Sequence, residues 1–274
     1  MPLEDHAGDI IRKSRLGLGI PSQQVAKAAQ ISDYQLETFE EIGPPLHGIN
    51  YQALAQLLTL DGEKLQGIAE GWEPLPLDVS SWHHLRQIET NDGGMAVNCY
   101  LAWDEDTKDA ALFDTGWVLR PIKELIVRHD LNLRHIFITH SHYDHIEALA
   151  EVRKFAPEAL IHSNIKTAPK SQQLSYGDTF ELGRLQISHR GTPGHADDGL
   201  TYLIEGFPLQ RPKVAIVGDA IFAGSMGGAK NHFETARSKI REEILALPKD
   251  TLICPGHGPV STVNEETTHN PFFP

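Results

Sequence analysis

The chain has 274 residues, with 24 lysine and arginine residues against 37 aspartate and glutamate residues, and a formal net charge of −13. This length suits one large domain, or a medium-sized domain with a small appendage. The acidic excess argues against a protein whose main role is binding nucleic acid. Two cysteines are too few for a disulfide scaffold, and no stretch has the length and apolarity of a membrane span. The start of the sequence lacks the pattern of a signal peptide, so we expect a cytoplasmic protein.

The first part of the chain has the three- and four-residue apolar spacing of short helices. The spacing predicts helices at Asp9–Leu16, Ser22–Ala29, Asp33–Ile42 and Ile49–Leu58. Ser22 and Ser32 stand where N-caps belong, and Gly43-Pro44-Pro45 predicts a break. The second and third helices, with a short turn between them, have the plan of a helix-turn-helix. We therefore expect a helical domain at residues 1–72, a linker at 73–80 and a second domain at 81–274.

The second domain mixes predicted strands with predicted helices, which indicates an α/β layered domain. The apolar runs predict strands at Val97–Trp103, Ala110–Phe113, Arg134–Thr139, Leu160–His162, Leu185–His189, Leu200–Glu205, Val214–Val217 and Thr251–Cys254. The helical spacing predicts helices at Pro121–His129, Ile146–Phe155 and Glu234–Leu247.

One stretch, Thr139-His140-Ser141-His142-Tyr143-Asp144-His145, follows an apolar strand directly. In extended backbone, residues two apart point to the same side, so His140 and His142 can share one metal ion. Asp144 and His145 then begin a helix, whose turn directs their side chains towards a second centre nearby. For a lone histidine, surface exposure or core packing is the better explanation. The spacing of these four residues favours metal binding.

Three later segments place further ligand types at strand ends. His195 lies in Thr192-Pro193-Gly194-His195, Asp219 follows Val217-Gly218, and His257 lies in Cys254-Pro255-Gly256-His257. Loops at strand ends are held by a rigid scaffold and commonly carry ligands. Seven ligands then suffice for two metal ions, and neither cysteine stands at a ligand position.

These motifs, with Asp114-Thr115-Gly116 and the closing Asn270-Pro271-Phe272, resemble the metallo-β-lactamase fold superfamily, specifically its glyoxalase II-like (hydroxyacylglutathione hydrolase-like) branch. The resemblance covers about residues 82 to 274 and implies an αββα sandwich with metals at one edge. It implies that His140, His142 and His195 hold the first metal, and that Asp144, His145 and His257 hold the second. Asp219 would bridge both ions, which makes Asp144 and Asp219 the carboxylates closest to the chemistry.

The implied reaction is cleavage of a thioester or related ester, a small-molecule substrate, by a metal-bound hydroxide. The His/Asp ligand set suits two divalent ions, with zinc expected first and iron or manganese as alternatives. Asp114 is expected to orient a metal-bound histidine, with capping of a turn as the equally weighted alternative.

The sequence departs from that branch at two places. Typical members continue past the final histidine motif with a helical region that holds glutathione, whereas this sequence ends 17 residues after His257. This difference counts against a glutathione thioester as the substrate and leaves recognition of glutathione open. The loop after Asp219 also differs, and Lys230, Asn231 and His232 are candidates to bind a substrate carboxylate, with a solvated loop as the alternative.

Two other functional classes remain open. Persulfide dioxygenases share the fold and resemble this sequence in the TPGH and closing motifs. That activity would use His140, His195 and Asp219 to hold a single iron, although the Gly-Arg-Thr-Asp loop typical of that family is missing. A purely regulatory protein with an inactive enzyme fold is the third hypothesis, and the seven intact ligands count against it.

Residues 10–70 resemble helix-turn-helix domains of the Cro/λ-repressor type. The charges argue against DNA binding, because residues 1–70 contain five basic and ten acidic residues. The helix that would read the DNA, within Ser32–Glu41, has four acids and no base. We expect instead that this region pairs subunits in a homodimer or covers the mouth of the active site.

Overall fold

The computed structural model describes residues 1–43, 48–175 and 177–274. Its helices are α1 (Ala7–Leu18), α2 (Ser22–Ala29), α3 (Asp33–Ile42), α4 (Tyr51–Leu58), α5 (Gly62–Ala69), α6 (Arg120–Arg128), α7 (Tyr143–Ile146), α8 (Leu149–Phe155), α9 (Phe233–Glu243) and α10 (Val263–His269). Its strands are β1 (Leu85–Asp92), β2 (Met95–Trp103), β3 (Asp109–Phe113), β4 (Asn132–Phe137), β5 (Leu160–His162), β6 (Thr179–Leu182), β7 (Leu185–Gly191), β8 (Leu200–Glu205), β9 (Val214–Gly218), β10 (Ile221–Phe222), β11 (Ser225–Met226), β12 (Leu252–Pro255) and β13 (Ser261–Thr262). Among these helices, none has both the length and the apolar character needed to cross a membrane.

Two mixed sheets form the centre of the molecule. The first has the order β1-β2-β3-β4-β5, with antiparallel pairs up to β3 and parallel pairs from β3 to β5. The second has the order β13-β12-β9-β8-β7-β6, in which only β9 and β12 pair in parallel. Strands β10 and β11 form a separate small hairpin directly after Asp219.

The sheets face each other across an apolar core and carry helices on their outer faces. Phe113 and Phe137 of the first sheet stack at 5.2 Å and both contact the ring of Tyr202 from the second sheet. Ile122 of α6 and Val152 of α8 belong to the cluster that covers the outer face of the first sheet. The arrangement is the αββα sandwich that the family resemblance implies.

The N-terminal helices begin and end at residues suited to these positions. Ser32 caps α3 and forms a capping box with Gln35, as the sequence predicts. Helix α2 has the predicted limits, Ser22–Ala29, but the predicted N-cap at Ser22 is wrong, because Pro21 occupies the N-cap without a side-chain bond. Proline suits this helix start because it has no backbone N–H to leave unsatisfied.

Helices α1 to α5 share a hydrophobic core with the outer face of the second sheet. Ile10, Leu36 and Leu58 belong to one buried cluster with Val217 of β9 and Ile240 of α9. A polar contact also joins the N-terminal helices to the sandwich, since the buried Arg237 of α9 donates to the carbonyl oxygen of Thr59. The N-terminal helices are therefore packed onto the sandwich through a continuous core.

Most predicted elements are present, with some boundary shifts. Helices α2 and α3 and strands β5 and β8 match the predicted limits, and the predicted helix at Ile146–Phe155 corresponds to α8, which begins later, at Leu149, after the short α7. Helices α5 and α10 and strands β1, β6, β10, β11 and β13 were not placed by the sequence patterns. Of the predicted break at Gly43-Pro44-Pro45, the two prolines lie outside the described residues.

Candidate metal centre

The strands of both sheets end at one edge of the sandwich, and the predicted ligands follow these ends. His140, His142, Asp144 and His145 come after β4, and His195 comes after β7. Asp219 follows β9 and His257 follows β12, the two strands that pair in parallel. The chain therefore brings ligands that are far apart in sequence to one place through its sheet topology.

The first group consists of His140, His142, His195 and Asp219, each of which offers one ligand atom within 4.8 Å of the others. The Nε2 atom of His195 lies 2.9 Å from Nδ1 of His142 and 3.5 Å from Oδ2 of Asp219. The Nε2 atom of His140 lies 3.9 Å from the same oxygen. These atoms surround a common point, as the ligands of one ion do.

The second group consists of Asp144, His145 and His257, again within 4.8 Å of one another. The Nε2 atom of His257 lies 3.1 Å from Oδ2 of Asp144, and that of His145 lies 3.7 Å from it. Asp219 stands between the groups, with Oδ1 3.2 Å from Nε2 of His145 and Oδ2 3.4 Å from Nε2 of His257. Its carboxylate can thus contact ions in both groups.

The outer ring nitrogens of these histidines are held by neighbouring oxygen atoms. Nδ1 of His145 lies 2.8 Å from Oδ2 of Asp114, the residue that the sequence singled out. Backbone carbonyl oxygens hold two others: Ala96 accepts from His257 at 2.7 Å, and Gly228 accepts from His195 at 3.1 Å. Such contacts fix each ring so that its other nitrogen faces inward.

Asp114 is itself buried and well bonded. Its Oδ1 atom accepts from the backbone N–H of Thr139 at 2.8 Å, and its Oδ2 atom accepts from the Thr139 hydroxyl at 2.7 Å. The same carboxylate therefore fixes both the start of the His140–His145 loop and the ring of His145.

Several inward-facing atoms of the centre lack a hydrogen-bond partner among the described residues. They are Nε2 of His140, Nε2 of His145 and Oδ1 of Asp219. Leaving buried polar atoms unsatisfied costs free energy, so native proteins rarely do it without reason. Cations held by the two groups would satisfy these three atoms, so the residues present fit metal ions.

The charges of the centre are strongly coupled. Burial lowers the pKa of His145, but the carboxylates of Asp114 and Asp219 outweigh burial and raise it to about 10. Burial favours the neutral form of Asp219, yet His145 and His257 hold the pKa of its carboxyl well below the usual range. Burial and the neighbouring His145 lower the pKa of His140 to about 2. The carboxylates thus create a negative site that draws positive charge.

The predicted substrate-binding residues lie beside the first group. Lys230, Asn231 and His232 are exposed and follow Gly228, whose carbonyl oxygen holds His195. The Nε2 atom of His232 lies 3.8 Å from a carboxylate oxygen of Asp197. The sequence did not indicate Ala96 and Gly228, because they act through backbone atoms that any residue type offers.

The comparisons with known proteins agree with this geometry. The profile of the metallo-beta-lactamase superfamily matches residues 92–257, which include every residue of both groups. The chain belongs to the metallo-beta-lactamase superfamily. The fold of this superfamily and the His/Asp groups together imply that the chain binds divalent metal.

The relatives within the superfamily have more than one activity. The chain is 30% identical over 201 residues to hydroxyacylglutathione hydrolase GloC from Haemophilus influenzae, which covers 64% of this chain and 92% of that protein. It is also 30% identical over 190 residues to the mitochondrial persulfide dioxygenase ETHE1 from Homo sapiens, with 64% and 72% covered. The crystal structure of the BLEG-1 B3 metallo-beta-lactamase superposes with a TM-score of 0.58 at 27% identity, covering 69% of this chain and 99% of that chain.

Proposed function

We propose that the protein is a dinuclear metal-dependent hydrolase that cleaves a thioester or a related ester. The observation that carries the proposal is the second ligand group, Asp144, His145 and His257, beside the first group with Asp219 between them. In the proposal His140, His142 and His195 hold one ion, the second group holds the other, and Asp219 contacts both. Zinc suits this mixed nitrogen and oxygen set best, with iron or manganese as alternatives.

Metal ions held by these residues would lower the pKa of bound water and so supply the hydroxide that hydrolysis of the substrate carbonyl requires. The carboxylates of Asp144 and Asp219, which lie 3.1 Å and 3.4 Å from Nε2 of His257, would orient the protons of that water. Asp114 keeps the ring of His145 in place through the contact at 2.8 Å. Lys230, Asn231 and His232 would bind a carboxylate of the substrate on the His195 side of the centre.

Thioester hydrolysis by the purified protein tests the proposal. The free thiol released from S-lactoylglutathione and from an uncharged acyl thioester is measured, with wild type and His257→Asn compared. We expect turnover by the wild type and a loss of at least about tenfold in the variant, because removing one ligand disrupts the second group. Asp104→Asn, a buried carboxylate in the β2–β3 turn, serves as the control. Wild-type protein that carries two ions and cleaves neither substrate contradicts the proposal.

A second candidate function is persulfide dioxygenase activity. The similarity to the human enzyme favours it, and His140, His195 and Asp219 provide a set of two histidines and one carboxylate for a single iron. Oxygen uptake in the presence of glutathione persulfide separates the two activities, because thioester hydrolysis consumes no oxygen.

The N-terminal helices are proposed to support the enzyme rather than to bind DNA. The exposed face of α3 carries Asp33, Glu37 and Glu41, and these carboxylates would repel a phosphate backbone. A homodimer and a cytoplasmic location remain part of the proposal, and size-exclusion chromatography with light scattering tests the dimer.

A further inference from the structure

A cavity of about 520 Å³ lies beside the metal centre and is lined in part by the ligand His257 of the second group. We call it the arm cavity. It is lined by Met1, Pro2, Leu3, Glu4, Glu89, Gly93, Gly94, Met95, Ala96, His257 and Gly258. The lining joins three separate parts of the chain: the N-terminal arm (residues 1–4), the β1–β2 hairpin and the loop that carries the ligand His257.

The N-terminal arm is fixed where it meets the enzyme domain. Asp5, the next residue, is buried and accepts a hydrogen bond from the Ser225 hydroxyl at 2.5 Å. Lys13 of α1 pairs with the same Asp5 carboxylate and donates to the carbonyl oxygen of Met226 at 2.9 Å. Both Ser225 and Met226 belong to the hairpin that follows Asp219, so the arm is tied to the metal centre through that hairpin.

The arm also passes directly over the final ligand loop. A Cβ atom at Gly258 would lie only 3.1 Å from the backbone nitrogen of Glu4 and 3.4 Å from its Cβ atom. Gly258 adopts a positive φ of 73°, which favours glycine, and it follows His257 immediately. The close approach places the arm as a wall of the space next to His257.

The lining combines apolar side chains with negative charge. Leu3, Met95 and Ala96 provide apolar surface, and Glu4 and Glu89 are exposed carboxylates. No lysine or arginine occurs among these described lining residues. A group that binds here gains from apolar contact, and an anionic group meets repulsion from two carboxylates.

We propose that the arm cavity is the binding subsite for the part of the substrate next to the scissile bond, and that it accepts an uncharged apolar group and disfavours an anionic one. The inference rests on the proposed hydrolase function and adds a substrate class to it. The proposal makes Glu4 and Glu89 specificity-determining residues. Of the two, Glu4 belongs to the N-terminal arm, which precedes the enzyme domain.

Binding of two non-hydrolysable thioethers to the full-length, metal-loaded protein tests this proposal by calorimetry. S-hexyl-N-acetylcysteamine is uncharged, and S-hexylglutathione carries a net negative charge with the same alkyl group. The double variant E4Q/E89Q is compared with E151Q/E158Q, which removes two exposed carboxylates that do not line the cavity. Metal content is measured for every variant.

We expect E4Q/E89Q to bind S-hexylglutathione about threefold to tenfold more tightly than wild type at low salt, with the gain shrinking as salt screens the charges. Its affinity for the uncharged ligand should change by less than about twofold, and E151Q/E158Q should resemble wild type for both ligands. Met95→Trp fills the cavity and should weaken binding of the uncharged ligand by about fivefold or more at unchanged metal content.

The proposal is overturned if E4Q/E89Q and E151Q/E158Q bind S-hexylglutathione equally, or if Met95→Trp binds the uncharged ligand as wild type does. The two proposals fail in different ways. If the proposed hydrolase function is wrong, neither thioester is cleaved, whichever ligands the variants bind. The KM values of the matched thioesters should follow the binding data.

Discussion

Replacing Asp114 by asparagine should weaken metal binding while leaving every proposed ligand in place. The Oδ2 atom of Asp114 lies 2.8 Å from Nδ1 of His145, and this carboxylate helps to raise the pKa of His145 to about 10. An amide nitrogen at that position cannot accept the N–H of the ring, so His145 loses the contact that fixes its orientation and its basicity. Loss of such a contact costs about tenfold to 100-fold in metal affinity, or about 1.4–2.8 kcal/mol.

The assay is competition for zinc between the protein and a chromophoric chelator, followed at pH 7.5 for wild type and Asp114→Asn. Asp104→Asn provides a matched control, because Asp104 is also buried and accepts hydrogen bonds from the backbone of Thr107 and Arg184. Both variants should unfold at lower urea concentration than wild type, since each disturbs a buried hydrogen-bonded carboxylate. Only Asp114→Asn should lose zinc affinity, and equal zinc affinity in the two variants would refute the role given to Asp114.

Three further predictions concern stability and close packing. Burial raises the pKa of Glu266 from 4.5 to about 7. The folded state therefore keeps a proton that the unfolded state loses above pH 4.5. Stability falls as the pH rises from 4.5 to about 7. In urea unfolding, the free energy of unfolding of the wild type should fall by about 3 kcal/mol between pH 4 and pH 8, and that of Glu266→Gln should not show this fall. Parallel pH curves for the variant and the wild type would contradict this prediction. A Cβ atom at Gly227 would lie 1.9 Å from the carbonyl oxygen of Asp219 and 2.9 Å from Nδ1 of His195. Gly227→Ala should therefore reduce zinc affinity at least about tenfold. Unchanged zinc affinity in chelator competition would contradict this close packing. Leu58→Ala should destabilise the chain by about 2–5 kcal/mol, because Leu58 lies in the core that the N-terminal helices share with the sandwich. Calorimetry of this variant should still show a single unfolding transition. A separate transition at lower temperature would show that the helices unfold alone.

The sequence predicts those strands and helices whose residues follow a local pattern of apolar and polar positions. Strands β5 and β8 have their predicted limits, Leu160–His162 and Leu200–Glu205, because short apolar runs bounded by polar residues are typical of buried strands. Strand β1 was missed because Leu85–Asp92 is largely polar and lies at the edge of its sheet, where one side of the strand has no partner. The capping of α2 was misjudged because proline and serine at adjacent positions both suit a helix start.

The ligand residues were also predictable, since their types and spacing are specific to metal sites. The contacts that orient them were not predictable from patterns. Ala96 lies 161 positions from His257, and Gly228 lies 33 positions from His195, and each acts only through its carbonyl oxygen. Likewise, no sequence pattern indicated that Glu4 would approach Gly258, because that contact follows from the packing of the N-terminal helices on the second sheet.

The most direct test of the account is the metal content of the protein purified without added metal, measured by elemental analysis together with hydrolysis of an uncharged acyl thioester. We expect close to two divalent ions per chain in active protein, and close to one in His257→Asn with most of the hydrolysis lost. A single iron per chain, oxygen uptake with glutathione persulfide and no thioester cleavage would contradict the dinuclear hydrolase and establish the dioxygenase instead.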